Sequence, residues 1–326
     1  MYKVVSLFSG CGGADQGLIG DFTFNNKKYE RLPFELEFAN DIEQKALNSH
    51  ALNFECKQTL CKDICEVESS LIPDCDLLVG GFPCQSFSTV NPTKNPFDAR
   101  GNLYKEMVRI VNDKQPKVFI AENVKGFMTL YGGSIFKTVI GAFENSGYKV
   151  YPKLINCADY GVPQKRQRVL LVGIRNDLNK KLTYEFPKET NVNNWVPLSV
   201  AVKQLAIEEK KYYFSERAVL GMKNAKNNMK RGLAQNLNEP CLTVTSHLAK
   251  VSLNSRDPVL LVDPSKELYR RFTPREAARI QSFPDSFQFA GSETDSYKQI
   301  GNAIPPVMFW HIAKSVSEYL AKVEKI

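Results

Sequence analysis

The chain has 326 residues, of which 43% are hydrophobic and 24% are charged, an ordinary balance for a globular protein. This length provides one large domain or two smaller ones with a substantial core. The residues after Met1 do not resemble a secretory signal and no apolar run is long enough to cross a bilayer, so we expect a cytoplasmic protein. The net charge of +8 permits a polyanionic partner but does not identify one.

The eight cysteines do not indicate a disulfide framework, because the chain is large and has no secretion signal. Cys56, Cys61 and Cys65 lie close together in the sequence. They lack paired C-x-x-C spacing, however, and no histidine follows at the distance of a zinc finger. We therefore expect buried thiols and no metal site.

In the first half of the chain, short apolar strands alternate with helices. Strands are predicted over 3–8, 34–39, 76–81, 117–122 and 168–175, and helices over 14–19, 42–52, 103–112 and 135–146. This alternation predicts βαβ units and a mainly parallel sheet. The polar segment 20–33 is predicted to be a surface excursion.

The second half begins irregularly and then becomes ordered. Within the irregular segment 182–269, the run 203–231 carries eight Lys or Arg against three Glu. Taken alone, such a run favours a solvated helix face. Further on, Thr273, Pro274 and Glu276 form the pattern of a capping box at a helix start. A last amphipathic helix is predicted over 307–323.

A glycine turn, Phe8-Ser9-Gly10-Cys11-Gly12-Gly13, follows the first strand. Glycines allow a tight turn there and let a ligand approach the start of the helix, although the dinucleotide fingerprint G-x-G-x-x-G is absent. Asp41 ends the second strand, where an acid can hold ribose hydroxyls, and Asp63 could accept from an adenine amino group. Asp41 could equally be a helix cap and Asp63 an ordinary turn residue. Together these features favour an adenosine-type ligand.

Cys84 lies after the fourth strand, in the loop Gly-Gly-Phe-Pro-Cys-Gln-Ser. A cysteine in an exposed loop is suited to nucleophilic attack when electropositive neighbours promote its ionisation. Glu122 ends the fifth strand at the same sheet edge and could act as a general acid or hold a ring nitrogen. The basic stretch QKRQR precedes the next strand. Glu122 could also be a structural carboxylate, and the basic stretch a phosphate or solvent patch.

Taken in order, these segments resemble the bacterial type of the DNA (cytosine-5) methyltransferase family over nearly the whole chain outside 182–269. FSGCGG is similar to its first motif, GFPCQSFS to its catalytic loop, ENV to the motif of its catalytic glutamate and QKRQR to its basic motif. RRFTPREAARIQSFPD and QIGNA resemble the two last motifs. Ile42 stands where an aromatic residue often stacks on adenine, so that contact is expected to be weaker.

The resemblance implies an α/β fold, with a Rossmann-like sheet that binds S-adenosylmethionine and a smaller, irregular target-recognition domain. The catalytic domain would comprise 1–181 and 270–326, and the recognition domain 182–269. The implied activity is methyl transfer from S-adenosylmethionine to carbon 5 of cytosine within a specific double-stranded DNA sequence. It would proceed through a covalent bond from Cys84 to carbon 6 of a base swung out of the duplex.

The resemblance also assigns roles to individual residues. The implied catalytic residues are Cys84, Glu122, Arg166 and Arg168. The implied cofactor-binding residues are Phe8, Gly10, Gly12, Gly13, Asp41, Ile42, Asp63, Ile64, Pro83, Leu103 and Asn302. The implied DNA-binding residues are Gln85, Ser88, Arg100 and Thr243. In this context the run 203–231 is better interpreted as a phosphate-contacting surface.

The expected partner is double-stranded DNA, for a monomeric enzyme that needs no metal or membrane and works at the bacterial nucleoid. Such an enzyme would be the modification half of a restriction–modification pair, without a stable complex with its endonuclease, or a solitary methylase. The alternatives are a transfer-RNA cytosine-5 methyltransferase and an inactive DNA-binding protein. An NAD-dependent oxidoreductase would need the dinucleotide fingerprint that FSGCGG does not supply.

Overall fold

The structure is a computed structural model and describes residues 1–83, 103–224, 234–250 and 257–326. Within these ranges the strands are β1 (Tyr2–Leu7), β2 (Phe22–Phe24), β3 (Lys27–Tyr29), β4 (Phe34–Asp41), β5 (Gln58–Cys61), β6 (Leu77–Gly80), β7 (Val118–Val124), β8 (Tyr148–Asn156), β9 (Gln164–Lys165), β10 (Gln167–Arg175), β11 (Cys241–Leu242), β12 (Leu260–Asp263) and β13 (Leu268–Arg270). The helices are α1 (Gly13–Ile19), α2 (Gln44–Asn53), α3 (Leu103–Lys114), α4 (Ser134–Asn145), α5 (Asn176–Asn179), α6 (Glu216–Lys223), α7 (Pro274–Ile280), α8 (Glu293–Asn302) and α9 (Pro306–Val323).

A seven-stranded sheet in the order β5-β4-β1-β6-β7-β10-β8 forms the centre of the fold. The five strands from β5 to β7 run parallel, and β10 is antiparallel to both of its neighbours. The chain moves outward from β1 to β5 and then returns to β6, so the strand order reverses between β1 and β6. Open α/β sheets bind ligands at the carboxyl ends of the strands beside such a reversal. The predicted α/β class is confirmed.

Both faces of the sheet are covered, which explains its nearly continuous apolar strands. On one face, α1 and α9 contribute Leu18, Phe309 and Ile312 to a core that includes Val4. On the other face, α3 and α4 pack Met107, Ile110 and Phe143 against Val5 and its neighbours. The sheet is therefore held rigidly, and its carboxyl edge is a fixed platform for side chains.

The prediction that 20–33 is a surface excursion is confirmed for the polar residues 25–28, which are exposed, but not for the apolar residues of the segment. This segment contains the hairpin of β2 and β3, and Phe22 and Tyr29 are buried in the main core. The ring of Tyr29 meets the Trp310 indole edge to face at 5.2 Å, and the indole N–H donates to the Glu30 carbonyl at 2.9 Å. Only alternate residues of a strand face inward, so the mostly polar sequence of this segment did not indicate that Phe22 and Tyr29 are buried.

A second lobe packs against α7 and α8. Its apolar residues include Leu198, Val244 and Leu260, which share a core with Phe272 and with Ile300 of α8. Helix α8 was not predicted from the sequence, because its residues are mostly polar. It begins with a capping box at Ser292. The predicted capping box at Thr273 is confirmed in α7.

Ion pairs tie the second lobe to the segments around α7 and α8. Lys203 pairs with Asp285 at 3.0 Å, and Lys211 pairs with Glu293. Carboxylates of the same chain therefore hold both lysines in exposed ion pairs, and their interpretation as phosphate contacts stays a prediction. The buried Arg270 makes two hydrogen bonds of 2.7 Å to the carboxylate of Glu276.

The first residues that the sequence assigns to the recognition domain pack on the main sheet instead. The Tyr184 side chain is buried beside α9, and its hydroxyl lies 2.8 Å from that of Ser315. Tyr319 of α9 donates to the carbonyl of Leu182 at 2.9 Å. Backbone bonds within the second lobe begin near Leu198, which donates to the carbonyl of Glu239 at 2.9 Å.

The cysteines differ from expectation in part. Cys11, Cys157 and Cys241 are buried, whereas Cys61 and Cys65 are exposed, so the prediction of buried thiols is wrong for these two. Among the described residues, no group of three or more His, Cys, Asp or Glu is placed to hold a metal ion. No helix in the described ranges has the length and apolar character that spanning a membrane requires.

Candidate active site

A cavity of about 650 Å³ opens at the carboxyl edge of the sheet, at the reversal between β1 and β6. The structure brings ten of the eleven predicted cofactor residues together around it: Phe8, Gly10, Gly13, Asp41, Ile42, Asp63, Ile64, Pro83, Leu103 and Asn302. Glu122, Arg166 and Arg168, from the predicted catalytic set, line it as well. Its volume is within the usual range for small-molecule sites.

Two glycines of the turn, Gly10 and Gly12, have different surroundings. A Cβ atom on Gly10 would meet nothing within 4 Å among the described residues, and the φ of Gly10 is +56°, a conformation that glycine adopts most readily. A Cβ on Gly12 would lie 2.2 Å from the Phe54 ring. Gly12 does not line the cavity, and its lack of a side chain serves packing; its predicted cofactor contact stays a prediction.

Asp41 lines the cavity, and its contact to ribose hydroxyls stays a prediction. The N-cap of α2 is Glu43, so Asp41 is not the cap of that helix. One oxygen of the Asp41 carboxylate accepts from the Gly10 N–H at 2.8 Å and the other from the Glu43 N–H at 2.9 Å, ahead of α2. Burial raises the pKa of the carboxyl group, and these N–H donors partly offset that effect. A carboxylate has about four lone-pair sites, so Asp41 retains capacity for ligand hydroxyls.

The next strand end supplies a second acid and an apolar wall. Asp63 accepts from the Cys65 N–H at 3.0 Å, so it is a turn residue that also lines the cavity. Ile42 is 64% exposed beside the buried Ile64. Two acids for hydroxyl and amino groups, an open glycine and an apolar surface fit the adenosine and methionine parts of S-adenosylmethionine.

Glu122 and Arg168 form an ion pair at the open end of this cavity. The Arg168 Nε lies 2.8 Å from the Glu122 carboxylate, and both side chains are nearly buried. They lie on neighbouring strands, since β7 pairs with β10 in a register that sets Glu122 opposite Leu170 and Arg168 opposite Val124. A Cβ atom on Gly81 would lie 3.4 Å from the Glu122 carboxylate, so this pair borders the segment that leads to Cys84.

Four predicted site residues, Cys84, Gln85, Ser88 and Arg100, lie outside the described residues. The segment 81–83, which follows β6 and precedes these residues, is held by Asn123, a residue that was not predicted to belong to the site. The side-chain amide of Asn123 donates to the carbonyl of Phe82 at 3.0 Å and is buried. Its position inside the motif ENV was the available signal.

Arg166 differs from its predicted catalytic role. Its side chain is 2% exposed, and its guanidinium donates to three backbone carbonyls, those of Val244 at 3.0 Å, Gly301 at 3.1 Å and Ala303 at 3.2 Å. Burial, together with the charge of Arg168, lowers the pKa of Arg166 to about 9, so the side chain remains cationic at pH 7. Arg166 is therefore a positioning residue that joins the second lobe to the segment lining the cofactor cavity.

Gln164 and Gln281, neither of which was predicted as a site residue, complete this junction between the second lobe and the cavity wall. The side chain of Gln164 donates to Gln281 at 2.8 Å and accepts from the Val244 N–H at 3.0 Å. Gln281 in turn donates to the carbonyl of Ile300 at 2.7 Å. Buried polar groups are stable when they are hydrogen-bonded, and this network sets the second lobe against the cavity wall.

Thr243 lies on a different surface from the cofactor residues. Its hydroxyl donates to the Lys165 carbonyl at 3.0 Å, and the residue lines a separate groove beside Arg168. Its predicted DNA contact stays a prediction.

The reversed strand order, the adenosine-type cavity and the carboxylate–guanidinium pair define an S-adenosylmethionine-dependent methyltransferase. The model of the C-5 cytosine-specific DNA methylase family matches residues 2–318, and the chain belongs to that family. It therefore methylates carbon 5 of cytosine in DNA.

Named relatives agree with this assignment. The Type II methyltransferase M.FnuDI of Fusobacterium nucleatum is 34% identical over 99% of this chain and 96% of its own length. M.NgoFVII of Neisseria gonorrhoeae is 35% identical over 96% of this chain and 86% of its own length. A prophage-encoded E. coli protein, described as a DNA modification methyltransferase, superposes with a TM-score of 0.77 at 23% identity, over 98% of this chain and 100% of that chain. This last similarity shows the fold alone.

We expect Gly10→Ala to weaken S-adenosylmethionine binding, because the new methyl group would enter the cavity. Isothermal titration of the purified protein measures the affinity. Gly132→Ala is the matched control, since Gly132 also has a positive φ of +65° and open space around it but lies away from the cavity. Both variants carry a backbone strain of roughly 1–2 kcal/mol. An equal loss of affinity in both would contradict the assignment of Gly10.

Proposed function

We propose that the chain methylates one cytosine within a specific double-stranded DNA sequence, through a covalent bond between Cys84 and carbon 6 of the base. The Glu122–Arg168 pair at the open end of the cofactor cavity carries this proposal. Its position next to Gly81 puts a carboxylate and a cation where the loop bearing Cys84 begins.

The cytosine ring must be activated before carbon 5 can accept a methyl group. In the proposed mechanism, the Cys84 thiolate adds to carbon 6 and makes carbon 5 nucleophilic. Glu122 holds ring nitrogen 3 and the exocyclic amine, which stabilises the protonated ring. Arg168 holds the Glu122 carboxylate in place and faces the ring oxygen.

The remaining steps complete the exchange at carbon 5. The cofactor would supply the methyl group of its sulfonium, which carbon 5 takes, and S-adenosylhomocysteine would leave. A water molecule then removes the carbon-5 proton, which restores the double bond and expels Cys84 as a thiolate. A stacked base is out of reach of Cys84, so the cytosine must swing out of the duplex at a cost of a few kcal/mol. Gln85, Ser88, Arg100 and Thr243 are proposed to offset that cost through DNA contacts.

The biological setting is proposed from the relatives, which are named as Type II methyltransferases. The chain would be the modification half of a restriction–modification system, working as a monomer in the cytoplasm at the nucleoid. It would share its target with an endonuclease without forming a stable complex. It needs no metal in this mechanism.

Methyl transfer to DNA tests the proposal directly. The purified protein is incubated with labelled S-adenosylmethionine and either unmethylated plasmid DNA or transfer RNA, and bisulfite sequencing then locates the modified cytosines. We expect 5-methylcytosine at one recurrent DNA sequence. Label in transfer RNA alone would favour the RNA alternative, and no label in either would favour an inactive DNA-binding protein.

A further inference from the structure

A groove of about 490 Å³ lies beside the cofactor cavity, and its lining residues other than Arg168 and Thr243 have no role in the mechanism above. Its lining includes the side chains of Lys125, Lys165, Gln167, Trp195 and Thr243. Val124 and Arg168 line both the groove and the cofactor cavity, so the two concavities adjoin at the Glu122–Arg168 pair.

The chemistry of the groove suits a phosphodiester chain. Three of its lining residues are cationic (Lys125, Lys165 and Arg168), and none of the described residues that line it is acidic. Asn156, Gln167 and Thr243 add neutral hydrogen-bonding groups. Carboxylates are close by, because Lys165 pairs with Glu239 at 3.0 Å and Arg168 pairs with Glu122 at 2.8 Å.

Trp195 gives the groove an aromatic wall. The side chain is 40% exposed, whereas the other tryptophan of the chain, Trp310, is 7% exposed. The indole N–H donates to Asp159 at 2.7 Å, and the ammonium of Lys165 lies 5.3 Å from the ring centre. The ring is thus held with part of its surface open to solvent, beside cations.

The backbone pairing fixes the position of the groove relative to the reacting base. Arg168 pairs with Val124 on one side of β10, and Gln167 pairs with Asn156 on the other. The groove is therefore built on the next residues along the sheet edge that carries Glu122. A DNA strand leaving a base held by Glu122 would therefore pass over this surface.

We propose that this groove binds the sugar–phosphate backbone of the target strand next to the flipped cytosine, with Lys125 and Lys165 on a phosphate and Trp195 against a deoxyribose. The inference rests on the proposed function, because it needs a DNA strand that enters the site through a flipped base. In this arrangement Trp195 stabilises the target strand in the conformation in which the cytosine is flipped out.

Two substitutions test the groove by equilibrium binding to a short duplex that carries the sequence found by bisulfite mapping. Trp195→Ala is expected to raise the Kd about tenfold, the scale for loss of one aromatic contact. Lys165→Met is expected to raise the Kd and to reduce the slope of log affinity against log salt by about one, the value for one lost phosphate contact. Trp195→Phe is expected to retain most of the affinity.

Lys153→Met is the matched control for Lys165→Met. Lys153 also pairs with a glutamate, Glu189, at 2.7 Å and lies 5.7 Å from the ring centre of Phe186, but it lines neither the groove nor the cavity. We expect its salt slope to equal that of the wild type. S-adenosylmethionine affinity and thermal melting, measured on every variant, identify any loss of fold.

Tryptophan fluorescence gives an independent measurement. Addition of the duplex should change the emission of the wild type, and Trp195→Phe should abolish that change because the remaining Trp310 is buried. The groove proposal would be overturned if the variants kept the affinity, salt slope and fluorescence response of a wild-type enzyme that methylates DNA. The proposed function would then remain intact. Failure of the wild type to methylate DNA would overturn both.

Discussion

Replacing Cys84 by alanine is expected to lower the rate of methyl transfer by at least about 10⁴-fold, the scale seen when a catalytic nucleophile is removed. Without the thiolate, carbon 5 of cytosine stays part of an intact aromatic ring and is a poor nucleophile. S-adenosylmethionine binding should persist, because the predicted cofactor contacts come from other residues. Single-turnover transfer of labelled methyl groups to plasmid DNA measures the rate, and calorimetry measures the affinity.

Cys75→Ala is the control for this substitution. Cys75 is a free, half-buried thiol just before β6, at the edge of the sheet opposite the cavity. Its replacement should leave the transfer rate near that of the wild type. A Cys84→Ala variant that still transfers methyl groups at the wild-type rate would remove Cys84 as the nucleophile. Loss of cofactor binding together with transfer would instead mean that Cys84 supports the fold.

Glu122→Gln is expected to lower kcat by about 10²- to 10⁴-fold, the usual contribution of a positioned acid or base. The amide has nearly the same shape as the carboxylate but no charge, so it stabilises the protonated ring poorly. It also removes the ion pair with Arg168, whose Nε lies 2.8 Å from the carboxylate. Since breaking a buried pair leaves one charge unpaired, the melting temperature should fall as well.

The effect of Glu122→Gln on the transfer rate can be measured separately from its effect on stability. Transfer is measured in single turnovers below the melting transition of the variant, with cofactor affinity as a check on folding. Glu189→Gln breaks a more exposed ion pair with Lys153, 2.7 Å apart, away from the cavity, and should leave the rate unchanged. If Glu122→Gln transferred methyl groups as fast as this control, the proposed role of Glu122 would be wrong.

Much of the fold could be predicted because its signals are local. The apolar strands, the glycine turn and the capping box at Thr273 each depend on residues within a few positions of one another. The rule that ligands bind at the carboxyl ends of parallel strands then placed Asp41, Asp63 and Glu122 at one edge, where the cavity lies.

The sequence did not reveal the contacts between distant segments. The ring of Phe54 packs where a side chain on Gly12 would lie. Carboxylates more than eighty residues away pair with Lys203 and Lys211. The polar residues of 20–33 predicted exposure, yet Trp310, near the other end of the chain, packs on Tyr29 of its hairpin.

The sequence by itself indicated the family, a mainly parallel sheet and the acids at the strand ends, because motifs and sheet edges follow from chemistry at fixed, short spacing. Only the tertiary structure decided what Arg166 does. Its three carbonyl partners lie 78, 135 and 137 residues away in the chain. A buried cation binds whichever carbonyl groups the folded chain brings within reach, and no local pattern specifies them.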